Sequence, residues 1–171
     1  VIRCSSSNAK GKVGSEPVRV SDKAGDCLDG DGTAEGAVPA VGLNGEVYVA
    51  WALGPWIYFD KSLDAGTTWS QEDRIVADIV GGWDQNIDGI GRVNGMPVTV
   101  VDHSNGPHRG RIYINWTDTR NGDSDVWLTH SDDGGETWSP TQRLNTDGPE
   151  RDQFFTWMTV DPVRGDVHVV F

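Results

Sequence analysis

An eight-residue pattern, Ser-x-Asp-x-Gly-x-Thr-Trp, occurs twice in the 171-residue chain, at 62–69 and at 131–138. Its aspartate can accept hydrogen bonds from backbone N–H groups of a turn, its glycine can take a positive φ, and its tryptophan can cover a sheet edge. Turn chemistry therefore accounts for every fixed position. We expect Asp64 and Asp133 to be structural rather than catalytic residues.

A second repeat surrounds these turns. Three segments open with glycine, alternate in side-chain character and end in an aromatic residue, at 45–51, 110–116 and 165–171. Shorter apolar segments that run into turns precede them, and strand-like segments at 56–60 and 125–129 lead into the two Ser-x-Asp-x-Gly-x-Thr-Trp turns. This period-two pattern is typical of antiparallel strands joined by hairpins. The chain is thus predicted to be all-β.

The repeated turn resembles the Asp box, or BNR repeat, of sialidase-like β-propeller proteins. The resemblance covers residues from about 37 to 171 and is strongest over 45–139. It implies four-stranded antiparallel blades in which the box joins the third and fourth strands. The expected organisation is an N-terminal polar segment followed by a partial propeller with two blades and an incomplete third, at 1–36, 37–75, 97–145 and 153–171.

About two and a half blades are fewer than the roughly four to eight of a closed propeller. We therefore expect either a fragment of a longer chain or a unit that partner chains complete, and we favour the fragment. The stretch at 76–97 makes the repeat longer than the roughly 40 to 50 residues of a plain blade. It is expected to be an inserted loop.

The resemblance implies a secreted or cell-surface protein, extracellular or periplasmic, of glycoside hydrolase type that acts on or binds glycans or glycoproteins. In true sialidases an arginine triad holds the substrate carboxylate, a Tyr–Glu pair supplies the nucleophile and an aspartate is the acid/base. Arg74 and Arg92 come nearest to the family's early Arg-Ile-Pro signature, but both lack the proline. No catalytic residue is carried over, so whether the chain is an enzyme stays open.

Two other classes of function fit the same residues. One is a non-catalytic propeller that binds glycans or proteins, since fold does not fix activity. The other is a structural module that associates with itself, or with the remainder of a propeller, through open blade edges.

The inserted loop offers a candidate substrate-binding set. Trp83 could stack on a sugar ring, Arg92 could hold a carboxylate, and Asp84 or Asp88 could act as acid or base. The alternative is a loop that packs on its own blade, with Trp83 as its core anchor and Arg92 in a salt bridge. The sequence does not decide between these interpretations.

A second candidate site lies before the first blade. Oxygen-bearing side chains alternate at Asp29, Asp31, Thr33 and Glu35, as at the start of a calcium-binding loop. Turns stabilised by aspartate side chains without a metal are the alternative. Calcium is the one cofactor that the sequence suggests.

Charge and cysteine content restrict the partners. The net charge of −12 would repel nucleic acid and anionic lipid surfaces, and no apolar stretch is long enough to span a bilayer. Cys4 and Cys27 allow either one disulfide near the N-terminus or two free thiols, and we favour the disulfide.

Overall fold

A computed structural model describes residues 1–7, 11 and 14–171. These residues form fourteen strands in antiparallel sheets. The strands are β1 Arg3–Cys4, β2 Val18–Arg19, β3 Glu35–Val41, β4 Val47–Leu53, β5 Trp56–Ser62, β6 Arg74–Asp78, β7 Asp84–Ile87, β8 Ile90–Asn94, β9 Val98–Val101, β10 Ile112–Asp118, β11 Asp125–Ser131, β12 Gln142–Arg143, β13 Trp157–Val160 and β14 Val167–Val170. The all-β prediction is confirmed, and the described residues include no helix with the length and hydropathy of a membrane span.

Three of the sheets stack in chain order. The first sheet has the strand order β3-β4-β5-β6, the second has β9-β10-β11-β12, and the third consists of β13 and β14. Strand β9 of the second sheet contacts both β3 and β13, so the leading strands of successive sheets are neighbours. Two smaller strand pairs, β1-β2 and β7-β8, complete the fold.

The interface between the first and second sheets holds the largest buried cluster. Phe59, Ile114 and Trp116 are fully buried there, together with Ile57. Burial of a side chain of this size contributes roughly 1.5–3 kcal/mol relative to exposure. This interface is therefore the main source of stability among the described elements.

The glycines that were predicted to open strands lie just before them. Gly45, Gly110 and Gly165 have φ values of 91°, 89° and 81°, and strands β4, β10 and β14 begin two residues after them. A positive φ is not a strand conformation, and glycine adopts it without a side-chain clash. These positions are hairpin turns, which corrects the predicted strand boundaries.

The two Ser-x-Asp-x-Gly-x-Thr-Trp turns have matching hydrogen bonds. In the first turn, the Asp64 carboxylate accepts from the Ser62 hydroxyl at 2.7 Å and from the Thr68 backbone N–H at 2.7 Å. In the second turn, Asp133 accepts from Ser131 at 2.7 Å and from the Thr137 N–H at 2.9 Å. Each turn joins the third strand of a four-stranded sheet to the fourth.

Hydrogen bonding also sets the ionisation of the turn aspartates. The backbone N–H of Thr68, followed by its hydroxyl, lowers the pKa of Asp64 to about 2. The hydroxyl of Thr137 and then its N–H hold the pKa of Asp133 still further below the usual range. Both carboxylates are therefore acceptors at neutral pH, as their structural role requires.

The two cysteines are free thiols, so the favoured disulfide is wrong. Cys4 lies in β1 and is half-buried against the first sheet, whereas Cys27 is exposed in the loop that precedes β3. The two residues belong to different parts of the N-terminal segment. Proximity in sequence therefore did not bring their side chains together.

Candidate functional site

The strand topology divides the chain connections between two ends of the stack. In an antiparallel meander, the links from strand one to two and from three to four lie at one end, and the remaining links lie at the other. The two repeated turns thus share one end. The opposite end, here named the loop face, carries five segments, at 26–34, 54–55, 79–97, 119–124 and 144–156.

The two sites predicted from the sequence meet at the loop face. The Arg92 guanidinium donates to both carboxylate oxygens of Asp29, at 2.9 and 3.0 Å. The Asp84 backbone N–H donates to the Asp31 carboxylate at 2.9 Å. The segment 26–34 therefore lies directly on the β7-β8 hairpin, and the candidate substrate-binding and calcium-binding residues form one surface.

The insertion at 76–97 is an ordered hairpin rather than a loop. It includes the end of β6 and the β7-β8 pair, which turns at Gly89 with a φ of 83°. Its anchor is Trp83, whose side chain is fully buried and whose indole N–H donates to the Thr33 carbonyl at 3.3 Å. Because no face of this ring reaches the surface, stacking of Trp83 on a sugar is contradicted, and the core-anchor interpretation describes the residue.

The proposed calcium ligands point to separate partners. Asp29 pairs with Arg92, and the Thr33 hydroxyl donates to the Leu28 carbonyl. Glu35 begins β3 opposite Ala52. Within the described ranges, no group of three or more His, Cys, Asp or Glu side chains is placed to hold a metal ion. Calcium binding by this segment stays a prediction.

Arg120 is a feature of the loop face whose full role the sequence did not reveal. Arg120 pairs locally with Asp118, with contacts from 2.5 to 3.1 Å to a carboxylate that is fully buried. The same guanidinium also reaches the carbonyl of Asp78 at 3.0 Å and lies 4.5 Å from the centre of the Trp127 ring. Its hydrogen bonds to Asp118 raise the pKa of Arg120. Arg120 therefore links the first sheet to the second.

A buried polar contact fixes the hairpin to the second sheet. The amide of Gln85 donates to the Thr117 carbonyl at 2.8 Å and accepts from the Ser124 hydroxyl at 2.9 Å. All three residues are buried. Since a buried amide without partners would cost about 1–3 kcal/mol, these bonds position the hairpin as well as satisfying Gln85.

The segment 144–156 is held by an amide network. Asn145 donates from one nitrogen towards oxygens of Asp125, Asp147 and Gln153, at 2.6 to 2.8 Å. The hydrogen bond from Asn145 lowers the pKa of Asp147, and Arg143 contacts the buried Asp125 at 2.6 Å. These contacts fix the segment 144–156 to β11 and β12 of the second sheet.

Ion pairing decides what the loop face can offer a ligand. Arg92, Arg120 and Arg143 each contact a carboxylate of this chain. In contrast, the carboxylates of Asp84 and Asp88 are exposed and make no side-chain hydrogen bond with another described residue. The face therefore presents hydrogen-bond acceptors, which suit the hydroxyl groups of a sugar.

Two comparisons with known proteins bear on the chain as a whole. No protein-family model matches the sequence. The structure is similar to that of Hadza microbial sialidase Hz136, with a TM-score of 0.45 and 20% sequence identity over 67% of this chain and 26% of that chain. This chain therefore spans about a quarter of the length of that sialidase.

Proposed function

We propose that this chain belongs to a sialidase-like β-propeller of BNR type and that its loop face binds glycans. The observation that carries the proposal is the pair of equivalent turns, which join the third and fourth strands of successive sheets with the same hydrogen bonds. The order of the sheets supports it, because β3, β9 and β13 are successive neighbours. In this proposal the turns are Asp boxes and each sheet is a blade.

The loop face is the proposed binding surface because rigid neighbours hold its acceptor groups in place. Asp84 and Asp88 lie on the β7-β8 hairpin, which Trp83 and Gln85 anchor to the core. Preorganised acceptors of this kind reduce the entropy that a bound sugar would otherwise cost. A secreted or cell-surface location is part of the proposal, since glycoprotein glycans are displayed there.

Binding can be measured by calorimetry with lactose and sialyllactose as probes. We expect the double substitution Asp84→Asn and Asp88→Asn to weaken binding, since amides replace two acceptor-only carboxylates. Asp166→Asn is the control, because it removes an exposed carboxylate at the opposite end of the stack. Loss of affinity in the control as large as in the double variant, or no binding of either sugar by the unaltered chain, would contradict the proposal.

Hydrolysis is a second candidate function, favoured by the same two exposed carboxylates. Glycoside hydrolases use a pair of acidic residues that flank the scissile bond. The test is release of 4-methylumbelliferone from its sialoside and from its β-galactoside. Turnover that the Asp84→Asn variant loses while sugar binding persists would support an acid/base role. If the unaltered chain binds the sugars but does not hydrolyse either substrate, hydrolysis is contradicted and glycan binding is the function supported.

A further inference from the structure

An apolar pocket lies where the leading strands of the three stacked sheets begin. Strand β9 contacts both β3 and β13, and each of these three strands starts at the loop face. The pocket between the strand starts has a volume of about 250 Å³. Its border is largely apolar and includes Val38, Met96, Pro97 and Val98 together with the aromatic residues Phe155 and Trp157.

Close packing of the backbone holds the border of this pocket in place. Gly36 in β3 has a φ of 73°, and an added Cβ there would lie 2.6 Å from Cβ of Met96. Only glycine therefore lets β3 approach Met96 this closely. Val98 of β9 is buried and packs in one cluster with Val38 of β3 and Met158 of β13. All three leading strands thus contribute to a fixed apolar border.

Phe155 borders the pocket from a backbone conformation that is rare for its residue type. Its φ is 54°, in the left-handed region that bulky residues seldom adopt. The Phe154 ring packs edge-on against it, with 5.3 Å between the two ring centres, and the hydroxyl of the buried Thr156 accepts from the Asn115 amide. Backbone strain that neighbours maintain in this way concentrates at binding and catalytic sites. The strain therefore indicates a function for the Phe155 ring at the pocket.

Volume and chemistry together decide which group fits the pocket. Since an apolar cavity of roughly 150 Å³ accepts benzene, about 250 Å³ holds one substituted aromatic ring. Pockets that enclose larger ligands have roughly 300–1,000 Å³, so an oligosaccharide is too large for this one. Phe155 and Trp157 suit contact with another aromatic ring, and no charged residue of the described chain borders the pocket. The pocket therefore fits a neutral aromatic group.

The pocket adjoins the carboxylates of the proposed glycan-binding surface. Asn94 at its border pairs with Asp84 across the β7-β8 hairpin, so the two side chains leave the same side of the hairpin with Cβ atoms roughly 5 Å apart. We propose that the pocket binds the aromatic aglycone of a glycoside whose sugar hydroxyl groups donate to the Asp84 and Asp88 carboxylates. This inference rests on the proposed function and names its ligand class, the aryl glycosides.

Calorimetry with phenyl β-galactoside and methyl β-galactoside measures the contribution of the aromatic group. Burial of the phenyl ring should make the phenyl glycoside bind at least about tenfold more tightly than the methyl glycoside. Phe155→Asn removes one ring and keeps a residue that tolerates a positive φ, and Trp157→Ala removes the other ring. Each variant should reduce the preference to about twofold or less. Trp56→Ala is the matched control, because Trp56 is an exposed tryptophan outside the pocket.

The same titrations distinguish failure of the pocket assignment from failure of the proposed function. Each pocket variant should still bind the methyl glycoside, which also shows that it is folded. The double substitution Asp84→Asn and Asp88→Asn should weaken binding of both glycosides and keep the preference for phenyl.

Equal affinities of the unaltered chain for the two glycosides would overturn the pocket assignment and leave glycan binding standing. A preference that survives in either pocket variant, or that is lost in Trp56→Ala, would do the same. Binding of the phenyl glycoside that the double substitution leaves unchanged would overturn the link between the pocket and the carboxylates. Binding of neither glycoside would contradict the proposed function and this inference with it.

Discussion

Alanine substitution of two equivalent glycines distinguishes two costs in the repeated turns. One is the cost of a positive φ, and the other is the cost of a clash between the turn and the neighbouring sheet. Gly66 and Gly135 occupy the same position in the two turns, with φ values of 86° and 85°. An added Cβ at Gly66 would lie 3.5 Å from the Cys4 sulfur, an ordinary contact distance. At Gly135 it would lie 2.3 Å from Cε1 of Phe59, which is well inside van der Waals contact.

The expected costs follow from these two geometries. A residue other than glycine in the left-handed region costs roughly 1–2 kcal/mol, and this cost applies to both turns. Overpacking adds roughly 1–3 kcal/mol at Gly135 alone. A small movement of the Phe59 ring cannot relieve this added cost, because the ring is fully buried and packs edge-on against Trp138, with 5.1 Å between the two ring centres.

Urea unfolding followed by tryptophan fluorescence gives the free energy of unfolding of each variant. We expect Gly135→Ala to lower it by about 1–3 kcal/mol more than Gly66→Ala does, with similar m values. Equal losses in the two variants would mean that the second turn does not press on the first sheet as described. That result would refute the inter-sheet contact and leave only the turn conformation.

Three further predictions concern charge and thiols. Arg120→Ala should lower the free energy of unfolding by about 3–5 kcal/mol, because it leaves the buried carboxylate of Asp118 without its cation. Arg92→Ala should lower it by only about 0–1 kcal/mol, because the ion pair of Arg92 is exposed. Burial raises the pKa of Asp60 to about 6, so stability should fall as pH rises from 4 to 7, and Asp60→Asn should flatten this part of the unfolding profile. Ellman's reagent should titrate two thiols, Cys27 faster than Cys4, without a reductant.

Local sequence pattern was sufficient for most of the strand pairing. The alternation around Val49 and Ile114 predicted antiparallel strands, and both residues lie in strands that are paired on both sides within four-stranded sheets. The hydrogen bonds of Asp64 and Asp133 were also predicted, because a turn aspartate finds its partners within a few residues. What the pattern misplaced were the strand starts, since it read the turn glycines as strand residues.

The candidate site was harder to predict because its contacts join distant parts of the chain. Asp29 and Arg92 are 63 residues apart, and nothing in either local sequence identifies the other as its partner. The segment 76–97 is rich in turn-forming residues and so resembled a loop, although Gln85 and Trp83 fix it to buried neighbours as a hairpin. Burial of the tryptophan was the deciding fact, and it depends on tertiary packing alone.

The variable positions of the repeated turn carry information that its fixed positions do not. The Glu136 carboxylate forms ion pairs with Lys61 and Arg74 of the first sheet, each with a nitrogen-to-oxygen distance of 2.6 Å. The first turn has Thr67 at the same position. The fixed residues close each hairpin on itself. In the second turn the residue between glycine and threonine meets the preceding sheet, whereas Thr67 of the first turn donates to the Asp64 carbonyl of its own turn at 2.9 Å. The first turn faces β1 and a cavity instead of another four-stranded sheet, and none of the ion pairs among the described residues involves this turn. Equivalent turns in one chain can therefore differ in sequence according to what covers them.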